Sequence, residues 1–153
     1  MTIEIGAPAP DFSLKNQHGE TITLSELRGA PVLIVFYPFA FSGICTGELC
    51  ELRDNLEVLE ELDVRVLGIS CDTMYAQRIF AEQDGYTFDL LSDFWPHGEV
   101  AKAYGIFAEG PGAAARGSYL VDAEGVLRWK VENGLGEARD LAAYRAAIEN
   151  LSA

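Results

Sequence analysis

Short apolar runs and helical leucine patterns alternate along the chain. Residues 32–37 are all aliphatic or aromatic, which is typical of a strand buried on both faces of a parallel sheet. Residues 64–70 and 88–91 are two further apolar runs of strand length. Between the first two runs, leucines recur every three to four positions from Cys45 to about Leu62, and this spacing predicts one amphipathic helix.

The remaining segments continue the same alternation. Phe12–Leu14 and Gly19–Leu24 predict a small hairpin, and Ser25 follows as the N-cap of a single helical turn that reaches Arg28. Further along, the patterns predict a helix over Thr73–Asp84 closed by Gly85, a short helix over Val100–Tyr104, two strands over Gly117–Val121 and Val126–Val131, and a closing helix over Asp140–Leu151.

The order of these elements predicts the fold class. Strands that alternate with helices indicate a central sheet with parallel pairs, and the late strand pair adds antiparallel edges. We therefore expect an α/β protein with a thioredoxin-like fold, in which a central mixed sheet is flanked by helices. A single domain is expected to span residues 1–153.

Charge and composition narrow the classes of partner. The 153 residues are 49% hydrophobic and carry a net charge of −13, so nucleic acid and anionic lipid would be repelled at long range. The first residues show no basic start followed by an apolar stretch, and the longest apolar runs fall far below the ~18 residues that a membrane span needs. We expect a cytoplasmic protein that binds neither nucleic acid nor membranes.

The three cysteines carry the most distinctive chemistry. Without an export signal they predict no structural disulfide framework, because the cytosol keeps thiols reduced. Cys45 follows the strand at 32–37 and begins a helix, where unpaired N–H groups and the positive end of the helix dipole favour thiolate over thiol. The spacing of Cys45 and Cys50 would suit zinc, but the sequence offers no second close Cys or His pair. We expect no metal.

The segment from Pro38 to Cys45, with Ser42 between them, resembles the peroxiredoxin motif, in which proline, threonine or serine, and cysteine follow one another at this spacing. Further pieces of the family pattern occur in order along nearly the whole chain, at residues 6–12, 68–72, 91–93, 103–105 and 116–122. Residues 91–98 are similar to the alkyl hydroperoxide reductase E group, whereas the spacing of Cys45 and Cys50 is that of the bacterioferritin-comigratory-protein group. The resemblance implies a thiol peroxidase that reduces hydrogen peroxide and organic hydroperoxides through a cysteine sulfenic acid.

By matching position, the resemblance assigns roles to individual residues. Cys45 would be the peroxidatic nucleophile, Ser42 a hydroxyl donor and acceptor beside it, and Pro38 a lid that shields the thiolate. Arg116 would be the neighbouring cation, oriented by Glu48 one turn after Cys45. The family also implies a homodimer and a cycle without metal, haem or flavin.

The sulfenic acid must be recycled by a second cysteine or by an external thiol. Cys50 is the candidate resolving cysteine, and the disulfide would then be reduced by a thioredoxin- or glutaredoxin-like protein. In an intact helix the Cα atoms of residues five apart lie about 8 to 9 Å apart, beyond the ~7 Å that a disulfide tolerates, so the first turn would have to unwind. Gly43 and Gly47 weaken helical propensity there.

Alternatives to this cycle use the same cysteines. In a one-cysteine cycle, which is commonly associated with the E group, a low-molecular-weight thiol would resolve Cys45, and Cys50 would be a packed residue. Cys71, at the end of a buried strand, is expected to be a packed thiol, although it could also resolve Cys45.

Other functions on the same fold are a thioredoxin-type disulfide reductase and a redox sensor or holdase. The reductase needs two cysteines separated by two residues and has no use for Pro38 and Ser42. The sensor would use the peroxidase residues, so the sequence leaves it open as a second role. We expect a peroxidase enzyme.

Overall fold

An interior strand of the main sheet is formed by Val32–Phe36, in which every residue is buried. The computed structural model describes residues 3–135 and 139–151, with Cys45 described by its backbone alone. The strands are β1 (Ser13–Lys15), β2 (Thr21–Thr23), β3 (Val32–Phe36), β4 (Arg65–Ser70), β5 (Asp89–Ser92), β6 (Phe107–Ala108), β7 (Ala113–Ala114), β8 (Arg116–Val121) and β9 (Leu127–Asn133). The helices are α1 (Gly43–Asp54), α2 (Leu56–Glu61), α3 (Met74–Asp84), α4 (Glu99–Ala103) and α5 (Leu141–Leu151).

Within the described ranges, seven of these strands form one sheet in the order β2-β1-β5-β4-β3-β8-β9. The β3–β4 and β4–β5 pairs are parallel, whereas β8 pairs antiparallel with both β3 and β9. The β1–β2 hairpin extends the other side through an antiparallel bridge from β1 to β5. The predicted mixed α/β sheet flanked by helices is confirmed.

Side chains of β3 alternate between two apolar layers, as the period of a strand requires. Leu33 and Val35 join the layer that also contains Leu49 and Leu52 of α1, Phe80 of α3 and Ile148 of α5. Ile34 and Phe36 join the layer on the other face, with Phe12, Leu24, Tyr104 and Leu127. The prediction that this strand is buried on both faces is therefore confirmed, and α1 is fixed on one face of the sheet by its leucines.

The predicted single helix from Cys45 to Leu62 is wrong in one respect, because it is divided into α1 and α2 at Asn55. The backbone of Asn55 leaves the helical region, with φ −114° and ψ 11°. Its side-chain amide donates a hydrogen bond of 2.8 Å to the carbonyl of Glu51, four residues earlier. Asparagine competes in this way with the helical ladder, a local effect that leucine spacing does not report.

The predicted cap at Ser25 is also wrong. The short 3-10 turn covers Leu24–Leu27 and has Thr23 in the preceding position. Ser25 instead donates its backbone N–H to the carboxylate of Asp11, at 2.9 Å. The cap of this turn thus comes from a residue outside it. The two-residue strands β6 and β7, which pair antiparallel, were not predicted either.

The helix α3 ends at Asp84 as predicted and begins at Met74, one residue later than predicted. Thr73 caps it by accepting a hydrogen bond from the backbone of Ala76 at 3.2 Å. Gly85 ends it in the left-handed conformation with φ 71°, which glycine adopts without strain. Among the described residues, no helix combines the length and apolar character needed to cross a bilayer.

Candidate active site

The N-terminal end of α1 lies just beyond the carboxyl end of β3, at the place predicted for Cys45. The helix begins at Gly43, and Thr46 N donates to the carbonyl of Ser42 at 2.8 Å, which places Ser42 in the N-cap position. By its backbone Cys45 is the third residue of the helix, and its side chain lies outside the described part of the structure. N–H groups in this first turn lack acceptors within the helix, so they can serve an anion.

The loop before α1 is held by Asp72, which follows β4. One carboxylate oxygen of Asp72 accepts from Ala40 N at 2.8 Å and from the hydroxyl of Ser70 at 2.7 Å. Phe41 adopts a left-handed backbone with φ 71°, which is uncommon for a residue other than glycine. Its ring contacts Phe80 of α3, with centroids 5.0 Å apart. Tertiary contacts therefore define the path of the chain into α1.

Arg116 is brought to this end of the sheet as the first residue of β8, the neighbour of β3. The side chain is 2% exposed. Its Nε donates to the carbonyl of Leu135 at 2.8 Å and its Nη1 donates to Glu48 at 2.6 Å. Its Nη2 makes no hydrogen bond to a described residue, and Arg116 lines the pocket at the start of α1. These two hydrogen bonds thus fix the guanidinium of Arg116 at the wall of that pocket.

Glu48 also binds a second arginine, Arg139, which precedes α5. Arg139 donates from Nε, Nη2 and its backbone N to the two oxygens of the Glu48 carboxylate, at 2.9, 2.9 and 2.6 Å. Its Nη1 is anchored to the carbonyls of Phe36 and Gly117, at 2.7 and 2.8 Å. Arg139 therefore fixes Glu48 relative to the backbones of β3 and β8.

The buried charges at the site do not cancel. Two guanidinium groups face the carboxylate of Glu48, which leaves an excess of one positive charge beneath the start of α1. Burial raises the pKa of Glu48, but hydrogen bonds and charge from Arg139, with the charge of Arg116, outweigh it and hold the pKa below the ordinary value of 4.5. The carboxylate is therefore ionised at neutral pH, and the net positive charge favours a bound anion or thiolate.

An open pocket of about 280 Å³ lies at the start of α1. It is lined by Pro38, Phe39, Ser42, Gly43, Ile44, Arg116 and Leu135. Three of the predicted site residues thus meet at one pocket, beside the backbone of the predicted nucleophile. Among the described residues, no cluster of His, Cys, Asp and Glu side chains has the arrangement to hold a metal ion.

Comparison with known proteins identifies the family of the chain. Residues 5–130 match the family described as the AhpC/TSA family. The chain belongs to the AhpC/TSA family. Its members are the peroxiredoxins, and this peroxiredoxin is a thiol-dependent peroxidase of the kind that the sequence motif predicted.

Individual relatives show which groups of peroxiredoxins this chain is similar to. It is 47% identical to alkyl hydroperoxide reductase E of Mycobacterium bovis over 152 residues, which cover 99% of each chain. It is 36% identical to peroxiredoxin Bcp of Bacillus subtilis, over 90% of this chain and 94% of the relative. The crystal structure of Enterococcus faecalis AhpC superposes with a TM-score of 0.90 at 26% identity, over 99% of this chain and 93% of that one. The predicted similarity to both groups is confirmed.

The other two cysteines of this peroxiredoxin differ in their surroundings. Cys50 lies in α1, half-buried, and its Sγ is 3.5 Å from the hydroxyl of Tyr86. Cys71 is 8% exposed, and burial, with a smaller contribution from the Asp93 carboxylate, raises its pKa to about 11. Cys71 is therefore a neutral, packed thiol at neutral pH.

Arg139 and Asp72 are the two site residues whose roles the sequence did not predict. Asp72 belongs to the segment that carried the family resemblance, so its position could have been noticed. No pattern marks Arg139 among the 11 basic residues of the chain. Its role depends on the meeting of α1, β3 and β8, which is a property of the tertiary structure.

Proposed function

We propose that Cys45 is the peroxidatic nucleophile, and that Ser42, Arg116 and the N-terminal N–H groups of α1 bind the peroxide beside it. The observation that carries this proposal is the pocket at the start of α1, which Pro38, Ser42 and Arg116 line. In the reaction, the thiolate of Cys45 attacks one peroxide oxygen and the O–O bond breaks. With one proton supplied to the departing oxygen, the products are Cys45 sulfenic acid and water or an alcohol.

Ionisation of a thiol gives little of the rate by itself. A pKa that falls from ~8.5 to ~6 raises the thiolate fraction at pH 7 about thirtyfold, but the accompanying loss of nucleophilicity removes about 18-fold. The acceleration must come from groups that bind the stretched O–O bond better than they bind the intact peroxide. In this proposal Arg116 and the first turn of α1, which line the pocket, stabilise the charge that develops on the departing oxygen.

Cys50 resolves the sulfenic acid in this proposal. Its sulfur attacks the sulfur of Cys45, the S–OH bond breaks, and the hydroxyl leaves as water with the proton of the Cys50 thiol. A thioredoxin- or glutaredoxin-like protein, or a low-molecular-weight thiol, then reduces the disulfide. Because Cys45 and Cys50 share one helix, the step requires α1 to open between them. Such a cycle needs a reducing compartment, so we place the protein in the cytoplasm.

A homodimer is the proposed assembly, formed through a surface that we call the α3 face. It consists of Tyr75, Ile79, Phe94 and Trp95, which are 68%, 54%, 48% and 81% exposed. The guanidinium of Arg78 lies over the ring of Tyr75, and Lys15 lines a groove together with Tyr75, Phe94 and Trp95. The face is therefore apolar and basic within a chain of net charge −13. It is therefore a surface on which two acidic copies can meet with the least repulsion.

Intact mass after one equivalent of hydrogen peroxide tests the cysteine assignments. We expect the wild type to lose two mass units without a dimedone adduct, because the disulfide forms first. Cys50→Ser should carry one dimedone adduct on Cys45. Cys71→Ser is the matched control and should behave as the wild type, since Cys71 is buried and neutral. Absence of any reaction at Cys45 would remove the proposal.

A one-cysteine cycle is the second candidate. The half-buried position of Cys50 and its contact with Tyr86 favour it, because both hold the thiol in the folded helix. In that case the wild type and Cys50→Ser would carry the same adduct on Cys45. Without dimedone, an external thiol would reduce the sulfenic acid of both proteins at equal rates.

A further inference from the structure

Tyr86 lies where α1 meets the end of α3, and its hydroxyl touches both elements. The residue is 5% exposed, and its ring packs on Phe80 and Phe88 with centroids 5.0 and 5.5 Å apart. The hydroxyl oxygen lies 3.5 Å from Cys50 Sγ, 3.3 Å from the carbonyl of Thr46 and 3.4 Å from the carboxylate of Asp84. One group therefore contacts the residue after Cys45 and the proposed resolving cysteine.

The face of α1 that meets this hydroxyl contains Thr46, Cys50 and Arg53. These residues follow one another at intervals of four and three, so they lie on one side of the helix. Arg53 extends the contact, because its Nη1 donates to the carbonyl of Asp84. Any opening of α1 that releases Cys50 must separate this face from Tyr86.

The Tyr86 hydroxyl has one proton and two acceptors within reach, the Thr46 carbonyl and the Asp84 carboxylate. Burial, followed by the contact with Cys50, raises the pKa of Tyr86, so the group stays a neutral donor throughout the working pH range. Its single proton can go to the Thr46 carbonyl while the Cys50 thiol donates to its oxygen. In this arrangement the hydroxyl fixes the backbone and the side chain of the same helical turns.

We propose that Tyr86 is a positioning residue for the resolving step, and that its hydroxyl latches α1 in the closed form that keeps Cys50 away from Cys45. The inference rests on the proposed role of Cys50. The reaction itself is unchanged: an S–S bond forms, the S–OH bond of the sulfenic acid breaks, and water leaves with the thiol proton of Cys50. The latch sets how often α1 opens, and therefore how long the sulfenic acid persists.

A longer-lived sulfenic acid has a chemical consequence. A second molecule of peroxide can oxidise it to sulfinic acid, which no thiol restores. The latch therefore makes the enzyme inactivate at lower peroxide concentration than an unlatched enzyme would. The peroxide concentration that inactivates the enzyme therefore reports on the latch. A substitution of Tyr86 whose effect is purely structural would leave that concentration unchanged.

The test compares Tyr86→Phe with Tyr104→Phe. Tyr104 is a matched control because its buried hydroxyl also donates one hydrogen bond, to the carbonyl of Pro10 at 2.7 Å, in the apolar layer on the opposite face of the sheet from α1. After one equivalent of hydrogen peroxide, rapid quenching and intact mass give the rates of sulfenic acid and disulfide formation. In Tyr86→Phe we expect disulfide formation about fivefold faster, which corresponds to about 1 kcal/mol for one hydrogen bond. Sulfenic acid formation should keep its wild-type rate, and Tyr104→Phe should leave both rates unchanged.

Hydrogen exchange of the reduced protein measures the latch independently of the chemistry. Amides of α1 should exchange about fivefold faster in Tyr86→Phe than in the wild type or in Tyr104→Phe. In a separate peroxide titration, Tyr86→Phe should need more peroxide than the wild type to form sulfinic acid. An unchanged or slower disulfide step in Tyr86→Phe would overturn the inference and leave Cys50 as the resolving cysteine. If the wild type forms no disulfide, the role of Cys50 and the inference both fail, whatever the exchange rates.

Discussion

At the scale of residues, the site is organised by the carboxylate of Glu48, which two buried arginines share. The contact between Glu48 and Arg116 could be anticipated from the family motif, because both residues match it in position. Arg139 could not, since a lone arginine before a helix has no distinguishing pattern. Removing one member of a buried ionic cluster leaves its partner charged and unpaired, so each of the three residues should be sensitive to substitution.

Arg116→Lys should reduce the second-order rate constant for hydrogen peroxide by about 100-fold. Lysine keeps the charge but cannot donate to Leu135, Glu48 and the pocket from one planar group. The rate is measured under single-turnover conditions by competition with a peroxidase of known rate. Arg145→Lys, on the exposed face of α5, is the control and should react as the wild type. Equal rates in both variants would argue against Arg116 as a peroxide ligand.

Glu48→Gln should lower the free energy of unfolding at pH 7 by about 3 kcal/mol, because two buried guanidinium groups lose their counter-charge. The pKa of Glu48 is depressed in the folded state, so its contribution is complete above the ordinary value of 4.5 and is lost as the pH falls through the depressed pKa. The difference between wild type and variant should therefore shrink below pH 4.5 in urea unfolding. The exposed Glu57→Gln should show no such pattern, and a difference independent of pH would contradict the assignment.

At the scale of elements, α1 has opposing requirements. Its leucines fix it on the sheet, while its first turns must open if Cys50 is to reach Cys45. Leucine spacing predicted the helix but not its end at Asn55, because a side-chain hydrogen bond to Glu51 decides that end. Gly43 and Gly47 are the sequence features that make the opening less costly.

Gly47→Ala should slow disulfide formation about fivefold, since alanine stabilises a helix by about 1 kcal/mol relative to glycine. Gly47 is exposed, and a Cβ there meets no atom within 4 Å, so the substitution adds propensity without a clash. Disulfide formation is followed by intact mass after quenching. A Cβ at Gly110 likewise meets no atom within 4 Å, but Gly110 lies outside the helices. Gly110→Ala is therefore the control and should leave the rate unchanged. A wild-type rate in Gly47→Ala would mean that opening of α1 does not limit this step.

At the scale of the whole molecule, the proposed homodimer depends on the acidic charge of the chain and on the α3 face. Ile79→Glu should weaken the proposed homodimer about tenfold, because it buries a carboxylate among the apolar side chains of the interface. Sedimentation equilibrium at several protein concentrations measures the dissociation constant. Ile5→Glu changes an equally exposed isoleucine that is 58% accessible and should leave association unchanged. Added salt should strengthen the wild-type dimer by screening repulsion, and a monomer under all conditions would exclude the dimer.

The sequence by itself determined the alternation of strands and helices, the buried character of β3 and the place of Cys45 at the start of a helix. Each of these depends on local periodicity or on a motif within a few residues. The tertiary structure decided the sheet order, the path of the loop that Asp72 holds, and the meeting of Glu48 with Arg116 and Arg139. It also placed Tyr86 against Cys50, 36 positions away in the chain. Contacts of this kind depend on which elements become neighbours, and the periodicity within one element does not specify the neighbours of that element.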